Sequence, residues 1–395
     1  MGTTDEEIEI RIYDRRIDRT RVEDLERKCE VGPGENIFLF TNTMGDPLCR
    51  IRNSPLYIML VAELHAELVG VIQGSIKITT LGCSPPTDKA IMGYILGLRV
   101  LPPHRRKGIG MALVRKLEGW FVANGVDFAY MATEKDNKAS LKLFTQKLGF
   151  LKFRTPSILV NPVRYHAMRL SPNVNIVKLN IQQAERLYRR FMSKAEFFPN
   201  DIDRILKNRL NLGTWVAYHR EESWCCKFDI NSDSDSSFPT SWAMLSVWNS
   251  GDIFKLRVGK APMSCIMFSK TSRLIDCVFP CMNLATLPNV FDPFGFYFMY
   301  GLHHEGPRAG KLVHSLCRMV HNMAIEGGGD CKVVVTEVED SKTLRLNIPH
   351  SEQLSCSEDL WCIKALKMSE ENKHRLNGVI RAPHPRTLFV DPREV

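Results

Sequence analysis

The sequence predicts a mixed α+β fold built from two successive halves with a similar order of elements. Its 395 residues exceed the roughly 250 to 300 at which a single hydrophobic core stops growing, so we expect two domains. Hydrophobic residues make up 44% of the chain and charged residues 25%, which is typical of a folded globular protein. In both halves, segments with the two-residue period of strands alternate with segments of helical period.

The first half, residues 1–170, opens with a strand and a helix. A dense apolar run at 57–62 and an alternating segment at 69–80 then predict an antiparallel hairpin with a short connection. A strand, a glycine-containing loop and a helix follow. Another strand and another helix come after them. The predicted strands are 8–13, 57–62, 69–80, 94–100 and 128–132, with further strands up to about residue 170, and the predicted helices are 21–29, 111–124 and 137–147.

The second half, residues 174–395, repeats this order, which we interpret as a diverged duplication. Residues 229–240 form a polar low-complexity stretch that we expect to be mobile. The predicted strands are 175–179, 214–218, 242–248, 296–302, 333–337 and 360–364, and the predicted helices are 181–192 and 311–326.

Charge and cysteine usage exclude several classes of protein. A formal net charge of +9 is compatible with an anionic partner, such as a phosphorylated cofactor, an acidic protein surface or nucleic acid, without choosing among them. The N-terminal residues contain no apolar run of signal-peptide length, and no stretch approaches the roughly 20 apolar residues of a membrane span. The twelve cysteines form no C-x-x-C pair. We therefore expect no secretion, no membrane segment and no metal site, with the cysteines as reduced packing residues.

A basic, glycine-containing loop joins the strand 94–100 to the next helix. It reads Arg105-Arg106-Lys107-Gly108-Ile109-Gly110. A helix N-terminus presents free N–H groups and a partial positive charge, and glycines let a bulky anion approach the backbone. The loop therefore favours a diphosphate-bearing ligand. The alternatives fit less well, because no P-loop motif is present and Leu113 stands where a dinucleotide loop needs a third glycine.

This R-x-x-G-x-G pattern after a strand resembles the coenzyme A loop of the GNAT superfamily. A second segment agrees, because Asn137 opens a helix that ends in Lys147-Leu148-Gly149-Phe150, similar to the superfamily's N-x(n)-K-x-G-F segment. The resemblance implies a GNAT acyl-CoA N-acyltransferase fold in two tandem domains, the second degenerate, with acetyl-CoA as cosubstrate. The cofactor-binding residues that it implies are Leu98, Val100, Arg105, Arg106, Lys107, Gly108, Ile109, Gly110 and Asn137.

Longer stretches resemble the hookless family of plant GNAT-like proteins. The resemblance implies an N-acetyltransferase that acts on a protein amine, for which a histone lysine is one candidate. It also implies a location in the nucleus, with the cytoplasm as a second place, and a role in hormone-controlled growth such as apical hook development. We expect no sequence-specific binding of nucleic acid. The stretches are RKCEVGP, GDPLCRIRNSP, LGLRVLPPHRRKGIG, RTPSILVNPV, FFPNDID, FMYG, EGPRA, EDLWCIK and FVDPRE, which span nearly the whole chain.

The sequence leaves the catalytic acid and base open. Acyl transfer to an amine uses a base for the amine proton, a donor for the developing oxyanion and an acid for the thiolate. The N–H of Leu98 or Val100 is the expected oxyanion donor. Glu134 is the candidate base, with Asp136 as its neighbour, although both also fit an exposed turn in which Asp136 caps a helix. Tyr130 is a candidate acid, as is Tyr94, and each also fits a core position.

The superfamily's usual acid is a tyrosine that this chain does not have. Counted from Asn137, its position falls on Phe144, and counted back from Gly149, it falls on Thr145, because the segment is one residue longer than the common form. Two hypotheses therefore stay open. The chain is either an active N-acetyltransferase or a catalytically weak module that binds coenzyme A or other proteins.

The loop of the second half that corresponds to Arg105–Gly110 is expected to be degenerate. We place His303, His304 and Glu305 in that loop, and Pro307 removes a backbone donor there. A metal or catalytic site formed by the histidines is the alternative.

Overall fold

The structure is a computed structural model. It describes residues 8–29, 38–82, 88–164, 166–222, 224, 238–260, 291–339, 342–352, 354–356, 359–367, 369–381 and 387–395. The predicted low-complexity segment 229–240 lies outside the described residues except for its last three positions.

The strands confirm the predicted alternation of β and α elements. They are β1 (Glu9–Ile12), β2 (Phe38–Asn42), β3 (Leu56–Leu64), β4 (Glu67–Thr80), β5 (Lys89–Val100), β6 (Phe128–Glu134), β7 (Leu151–Arg154), β8 (Ser157–Pro162), β9 (Val174–Leu179), β10 (Asn211–His219), β11 (Trp242–Asn249), β12 (Lys255–Lys260), β13 (Gly295–Glu305), β14 (Cys331–Val338) and β15 (Asp359–Ala365).

The helices follow the strands in the predicted order. They are α1 (Arg15–Lys28), α2 (Ile109–Ala123), α3 (Lys138–Leu141), a π-helical turn at Lys142–Lys147, α4 (Ile181–Phe191), α5 (Ile202–Lys207), α6 (Ala309–Glu326), α7 (Lys342–Asn347) and α8 (Glu370–Arg381). None of the helices that the structure describes has the length and apolar character needed to cross a membrane.

The strands form two large mixed sheets and one short hairpin. The first sheet has the order β1-β3-β4-β5-β6-β15-β7, and the second has the order β8-β14-β13-β11-β10-β9. In each sheet one central pair is parallel, β5 with β6 and β13 with β14, while the other pairs are antiparallel. The short sheet pairs β2 with β12. The predicted mixed α+β fold class is confirmed.

The two sheets repeat one unusual local feature. Gly97 in β5 and Gly301 in β13 both have positive φ, at +62° and +59°. Each lies at a bulge in the pairing with the preceding strand of its sheet. The parallel pairing ends two residues before each glycine, at Ile95 and at Met299. A shared bulge at the same place in the same topology supports the interpretation as a duplication.

The sheets exchange one strand each across the predicted division at residues 170–174. β8 precedes that division and pairs with β14 in the second sheet. β15 follows it and lies between β6 and β7 in the first sheet. The predicted domains 1–170 and 174–395 therefore do not coincide with the two sheets, because each sheet includes one strand from the other side of the division.

The main hydrophobic core lies between the two sheets, and each sheet has a helix on its other face. α2 covers the outer face of the first sheet, and α6 covers the outer face of the second. The shared core includes large aromatic residues from both halves, which are Phe128, Tyr130, Trp361, Tyr188, Trp242, Trp248, Phe298 and Tyr300. Burial of so much aromatic surface between the sheets holds the two halves together.

Helix α2 lies close to the first sheet because glycines face it. A Cβ atom on Gly74 would be 2.6 Å from Leu117 Cδ1, and one on Gly93 would be 2.9 Å from Phe121 Cζ. Gly70 faces the start of the helix in the same way. The glycines therefore set the distance of α2 from the sheet, and with it the position of the helix N-terminus.

The C-terminus of α2 has a glycine cap. Gly125 has a φ of +75° and its N–H donates to the Val122 carbonyl, while the Val126 N–H donates to the Phe121 carbonyl, both at 3.0 Å. This is the Schellman arrangement, which satisfies the last carbonyls of a helix.

Several elements differ from the predictions. α1 begins at Arg15 rather than at residue 21, because a first turn rich in charged residues hides the helical period while Asp14 caps it. β5 begins at Lys89 rather than at residue 94. The short sheet and helices α5, α7 and α8 were not predicted. The structure also corrects one predicted placement. The last residues of strand β13 are His303, His304 and Glu305, which therefore do not lie in the loop that follows the strand.

Candidate active site

The loop before α2 has the open conformation expected of an anion-binding turn. Gly108 is the N-cap of the helix in the left-handed region, with φ +87° and ψ −8°, and it has no side chain to cap the first-turn amides. A Cβ atom built on Gly108 would meet nothing within 4 Å among the described residues. The space in front of the helix N-terminus is therefore open to a ligand.

Basic side chains surround this opening. Arg105, Arg106 and Lys107 are exposed. The Arg105 Nε group donates to the Val100 carbonyl at 3.2 Å, which fixes the base of that side chain beside the end of β5. Arg106 has a φ of +67°, which turns the loop back towards the helix. Together with the helix dipole, the three side chains make the loop suitable for a diphosphate.

A cleft opens beside the loop because β5 and β6 separate. Their parallel pairing runs only from Met92–Phe128 to Ile95–Met131, although β5 continues to Val100 and β6 to Glu134. The bulge at Gly97 lies just beyond the last pair. The end of the parallel pairing leaves a gap between the ends of two strands of one sheet, and the loop before α2 follows the end of β5.

The Val100 amide is directed towards this gap. The Leu101 N–H donates to the Val69 carbonyl of β4 at 2.9 Å. Backbone groups of neighbouring residues in a strand point to opposite edges, so the Val100 N–H points away from β4 and towards the β6 side. The Val100 carbonyl agrees with this direction, since it accepts from Arg105 rather than from β4. The predicted oxyanion donor thus faces the cleft.

The mouth of the cleft is apolar. A Cβ atom on Gly110 would lie 3.6 Å from Leu143 Cδ2, 3.8 Å from Leu98 Cδ2 and 3.8 Å from Val100 Cγ2. Leu98, Val100 and Leu143 are all partly exposed. Ile109 is different, because its side chain is buried under the helix and leaves only its backbone for a ligand. An open anion site that continues into a narrow apolar cleft fits a coenzyme A thioester.

Asn137 caps helix α3. Its side-chain oxygen accepts from the Ser140 N–H at 3.1 Å. The residue is exposed. The Oδ1 atom of Asn137 is therefore used by the helix cap. A contact of Asn137 with the cofactor stays a prediction.

The extra residue of the segment after Asn137 is absorbed by the π-helical turn at 142–147. A π-turn adds one residue to a helix without changing its ends. Phe144 is buried and packs edge-on against Phe150, with ring centroids 5.2 Å apart. The Thr145 hydroxyl donates to the Leu141 carbonyl at 2.7 Å. Neither residue presents an acid to the cleft.

The two candidate tyrosines are core residues. Tyr94 and Tyr130 are buried neighbours on β5 and β6, with ring centroids 4.8 Å apart. The Tyr130 hydroxyl donates to Glu394 Oε1 at 2.5 Å. Burial and the nearby Glu394 carboxylate raise the pKa of Tyr130 well above its usual value. Tyr130 therefore anchors the C-terminal segment, an environment that argues against its proposed role as the acid.

Glu134 lies at the end of β6, beside the gap, in a group of carboxyl side chains. Burial, then Asp359, then Asp136 raise the pKa of Glu134 to about 7. Asp359 is its direct cross-strand neighbour on β15. Burial raises the pKa of Asp359 to about 6. A carboxyl group with a pKa near 7 is suited to accept a proton at neutral pH.

A third carboxyl group adjoins this pair. Glu337, on β14 of the second sheet, accepts from the Trp361 indole N–H at 2.8 Å. Burial, followed by the charge of Asp359, raises its pKa well above the usual value. The sequence indicated neither Asp359 nor Glu337, because strand pairing brings Asp359 to Glu134 and the packing of the two sheets brings Glu337 to Asp359. Within the part of the chain that the structure describes, no group of His, Cys, Asp and Glu side chains is placed to hold a metal ion.

The corresponding loop of the second half is closed. A Cβ atom on Gly306 would lie 2.0 Å from the Thr240 carbonyl oxygen, and one on Gly310 would lie 2.5 Å from Asn347 Oδ1. Arg308 makes ion pairs with Glu221 at 2.5 Å and with Glu222 at 3.2 Å. The closeness of Thr240 and Asn347 therefore leaves no space for a diphosphate there, and Arg308 is already bound to two glutamates.

Comparisons with known proteins agree with this geometry. Residues 20–150 match the model of the Acetyltransferase (GNAT) family. The chain is 46% identical to the Arabidopsis thaliana protein named "Probable N-acetyltransferase HLS1-like", over 98% of this chain and 99% of the relative. It is 47% identical to "Probable N-acetyltransferase HLS1" of the same plant, over 98% and 99%. It is 34% identical to "Acetyl transferase GW6a" of Oryza sativa subsp. japonica, over 98% and 97%.

A solved structure supports the fold. Saccharomyces cerevisiae N-myristoyltransferase with bound myristoyl-CoA superposes with a TM-score of 0.54 at 10% identity, covering 92% of this chain and 80% of that one. The likeness over nearly the whole chain shows that both halves share in the fold. Family and fold together imply the use of an acyl-CoA. On the basis of these relatives, together with the open loop at Gly108, we conclude that the chain belongs to the HLS1-like family of plant N-acetyltransferases within the GNAT superfamily.

Proposed function

We propose that this protein transfers the acetyl group of acetyl-CoA to an amine of a protein substrate. One observation carries the proposal. The open basic loop at Gly108 leads into the gap between β5 and β6, and the Val100 N–H and the Glu134 carboxylate lie at that gap. The choice of acetyl-CoA over a longer acyl-CoA comes from the family resemblance and not from the geometry of the site. The acyl chain length is therefore part of the proposal.

The residues at the gap have complementary roles in this reaction. Acetyl-CoA supplies a thioester carbonyl. The Val100 N–H would donate a hydrogen bond to the carbonyl oxygen as negative charge develops on it. Glu134 would accept the proton of the amine, directly or through a water molecule, while the amine nitrogen forms a bond to the carbonyl carbon and the carbon–sulfur bond breaks. The basic loop would hold the diphosphate throughout.

The leaving thiolate needs little help from a protein acid. Thiols have a pKa of about 8.5, so a thiolate is a stable leaving group near neutral pH. This matters here because Phe144 and Thr145 occupy the tyrosine position and Tyr130 is bound to Glu394. We propose that the thiolate leaves without a tyrosine donor and takes its proton from solvent.

The acceptor and the biological setting are proposed from the family resemblance. We propose a protein lysine, with histone lysine as one candidate, and a site of action in the nucleus with the cytoplasm as a second place. The hookless-like sequence stretches support a role in hormone-controlled growth such as apical hook development.

A second candidate function is a module that binds coenzyme A or other proteins without turnover. The observation that favours it is the lack of a tyrosine at Phe144 and Thr145. Both candidates require cofactor binding at Gly108, and turnover separates them.

Calorimetric titration of acetyl-CoA tests the cofactor site directly. Gly108→Trp would place a large side chain in the opening, and Arg105→Glu would reverse a charge there, so both variants should lose binding. Gly125→Trp is the matched control for the first, because Gly125 lies at the other end of α2 with a φ of +75° and nothing within 4 Å of its Cβ position. Arg186→Glu, at an exposed position of α4, is the control for the second.

Binding that survives in both loop variants would contradict the proposed site. A dissociation constant of about 1 mM corresponds to a binding free energy of only about 4 kcal/mol. If the parent protein does not bind acetyl-CoA at about that concentration, the result contradicts the proposed acetyltransferase activity. Binding without transfer of labelled acetyl groups to lysine peptides would favour the second candidate.

A further inference from the structure

The end of strand β5 carries the proposed oxyanion donor, and a strand supports it on one side only. The pairing of β5 with β6 ends at Ile95, while residues 96–100 stay beside β4. In the part of the chain that the structure describes, backbone groups on the β6 side of this end have no strand partner. An oxyanion donor is effective when its direction is fixed before the reaction. The direction of the Val100 N–H therefore depends on contacts with other groups.

An ion pair joins helix α1 to the residue that precedes Val100. Arg99 Nε lies 3.4 Å from Glu26 Oε2, and the two side chains are 16% and 8% exposed. The same guanidinium donates from Nη1 to the Leu98 carbonyl at 3.1 Å. Arg99 therefore links the last turn of α1 to the backbone of β5.

A second residue of α1 contacts the Val100 carbonyl. Cys29 follows the last turn of the helix, is fully buried and donates from Sγ to this carbonyl at 3.8 Å. Burial raises the pKa of the Cys29 thiol, so the thiol keeps its proton near neutral pH and can act as a weak donor. The Arg105 Nε group donates to the same carbonyl at 3.2 Å. The two donors together occupy both lone pairs of the oxygen.

The Val100 N–H belongs to the peptide group between these two contacts. The Leu98 carbonyl is part of the preceding peptide group, and the Val100 carbonyl is part of the following one. Peptide groups are planar, so holding the groups on both sides limits the rotations open to the one between them. The contacts come from the face of the sheet opposite α2, because Cys29 belongs to the core between the sheets while the Leu98 and Val100 side chains lie beside Gly110.

We propose that Glu26, Cys29 and Arg99 are positioning residues for acetyl transfer, which hold the end of β5 so that the Val100 N–H is directed at the thioester oxygen. We call these three residues the α1 clamp. The inference rests on the proposed function and adds residues outside the cofactor loop that the reaction needs. The α1 clamp acts through Val100 and not by contact with the reacting atoms.

Kinetics of acetyl transfer to a short peptide of Gly, Ala and Lys residues test the α1 clamp. Glu26→Gln and Arg99→Gln should each lower kcat by about tenfold, because a misdirected donor stabilises the transition state less. The acetyl-CoA affinity and the KM for the peptide should stay within about twofold of the parent, since the loop at Gly108 is unchanged. The double variant should be no slower than Arg99→Gln, because the two residues act through one contact. Arg99→Lys keeps the charge beside Glu26 and should retain most of the rate.

Arg11→Gln is the matched control. Arg11 of β1 pairs with Asp18 of α1 at 2.6 Å and with Glu63 of β3 at 3.0 Å, and its side chain is 24% exposed. This ion pair also joins α1 to the first sheet, at the other end of the helix. Its loss should lower the thermal unfolding midpoint and leave kcat close to that of the parent. An equal loss of kcat in Arg11→Gln and Arg99→Gln would attribute the effect to a loosened helix and overturn the proposal.

A spectroscopic measurement tests the α1 clamp without turnover. The probe is acetyl-CoA labelled with carbon-13 at the carbonyl, observed by NMR in its complex with the full chain. A hydrogen bond to the oxygen moves the carbonyl resonance to higher frequency, so the parent should show this shift relative to free acetyl-CoA. In Glu26→Gln and Arg99→Gln the resonance should return towards the free position. Cys29→Ala is a smaller change that removes one weak donor, and it should give a smaller return.

The outcomes separate this inference from the proposed function. If acetyl-CoA does not bind the parent, the proposed function fails and the inference fails with it. If acetyl-CoA binds the parent and the carbonyl resonance is the same in the parent and in the α1 clamp variants, only the inference is overturned. A parent that binds acetyl-CoA without turnover still shows, through the carbonyl resonance, whether the α1 clamp directs the Val100 N–H.

Discussion

Glu134 has the environment of a base that changes its protonation near neutral pH. Burial, Asp359 and Asp136 raise its pKa to about 7, so the carboxyl group is increasingly ionised as the pH rises through that value. We therefore expect kcat/KM for acetyl transfer to increase with pH and to level off above about 7. Glu134→Gln should lower kcat by about 100-fold or more, within the range usual for loss of a general base.

Asp359→Asn distinguishes Glu134 from the acceptor amine as the titrating group. Removing the Asp359 charge removes a cause of the raised pKa, so the inflection should move to lower pH. Because the two carboxyl groups are cross-strand neighbours, the inflection in the parent belongs to the pair. An inflection that stays in place in Asp359→Asn would assign it to the substrate amine instead.

At the scale of elements, helix α2 positions the candidate cofactor loop through its packing on the glycines of the first sheet. Leu117 is fully buried, and its methyl groups fill the space left by Gly74. Leu117→Ala should lower the free energy of unfolding by about 2–5 kcal/mol, because it leaves a cavity under the helix. Urea unfolding followed by circular dichroism measures the change.

Val122→Ala is the control on the same helix. Val122 is 51% exposed, so its truncation should change the free energy of unfolding by less than about 0.5 kcal/mol. Similar losses in the two variants would show that helix propensity, rather than the packing of α2 on the glycines, sets the stability of this element.

At the scale of the whole molecule, the C-terminal segment ties the two halves together through buried charges. Lys77 of β4 contacts Glu394 at 2.7 Å and Asp391 at 3.3 Å, and all three side chains are almost fully buried. Arg393 joins the group and also pairs with Asp201, which precedes α5, at 2.7 Å. Lys77→Met should destabilise the protein by about 3–5 kcal/mol, because it leaves buried acidic groups without one of their cations.

Lys373→Met provides the comparison for this prediction. Lys373 pairs with Glu370 on the surface of α8, and an exposed pair of this kind contributes at most about 1 kcal/mol. Thermal unfolding of both variants should therefore show a large shift for Lys77→Met alone. An unchanged midpoint in Lys77→Met would contradict the role of Lys77 as the cation of the cluster.

The features that sequence reasoning predicted best are local ones. The candidate cofactor loop depends on glycines and basic residues within six positions, between a strand and a helix whose periods are strong, and the structure contains this strand, loop and helix in that order. The antiparallel hairpin of β3 and β4 was predicted for the same reason. Short-range sterics and hydrogen bonding decide each of them.

The π-turn shows where local reasoning reaches its limit. Counting from Asn137 and counting from Gly149 gave two residues for one position, because the sequence does not say where the extra residue of the helix is placed. The structure places it within 142–147, with Phe144 turned into the core and the Thr145 hydroxyl bonded back to the helix. Packing of Phe144 against Phe150 makes that choice.

The sequence alone determined the family, the mixed α+β class, the repeated order of elements and the basic, glycine-containing loop between a strand and a helix, since each of these depends on residues that are neighbours in the chain. The tertiary structure alone decided the surroundings of the candidate base. Asp359 reaches Glu134 because β15 inserts between β6 and β7. Glu337 reaches Trp361 and Asp359 because the second sheet packs against the first, and Glu394 reaches Tyr130 because the C-terminal segment packs between the halves. The reason is physical: strand pairing and burial between sheets join residues that no sequence period relates.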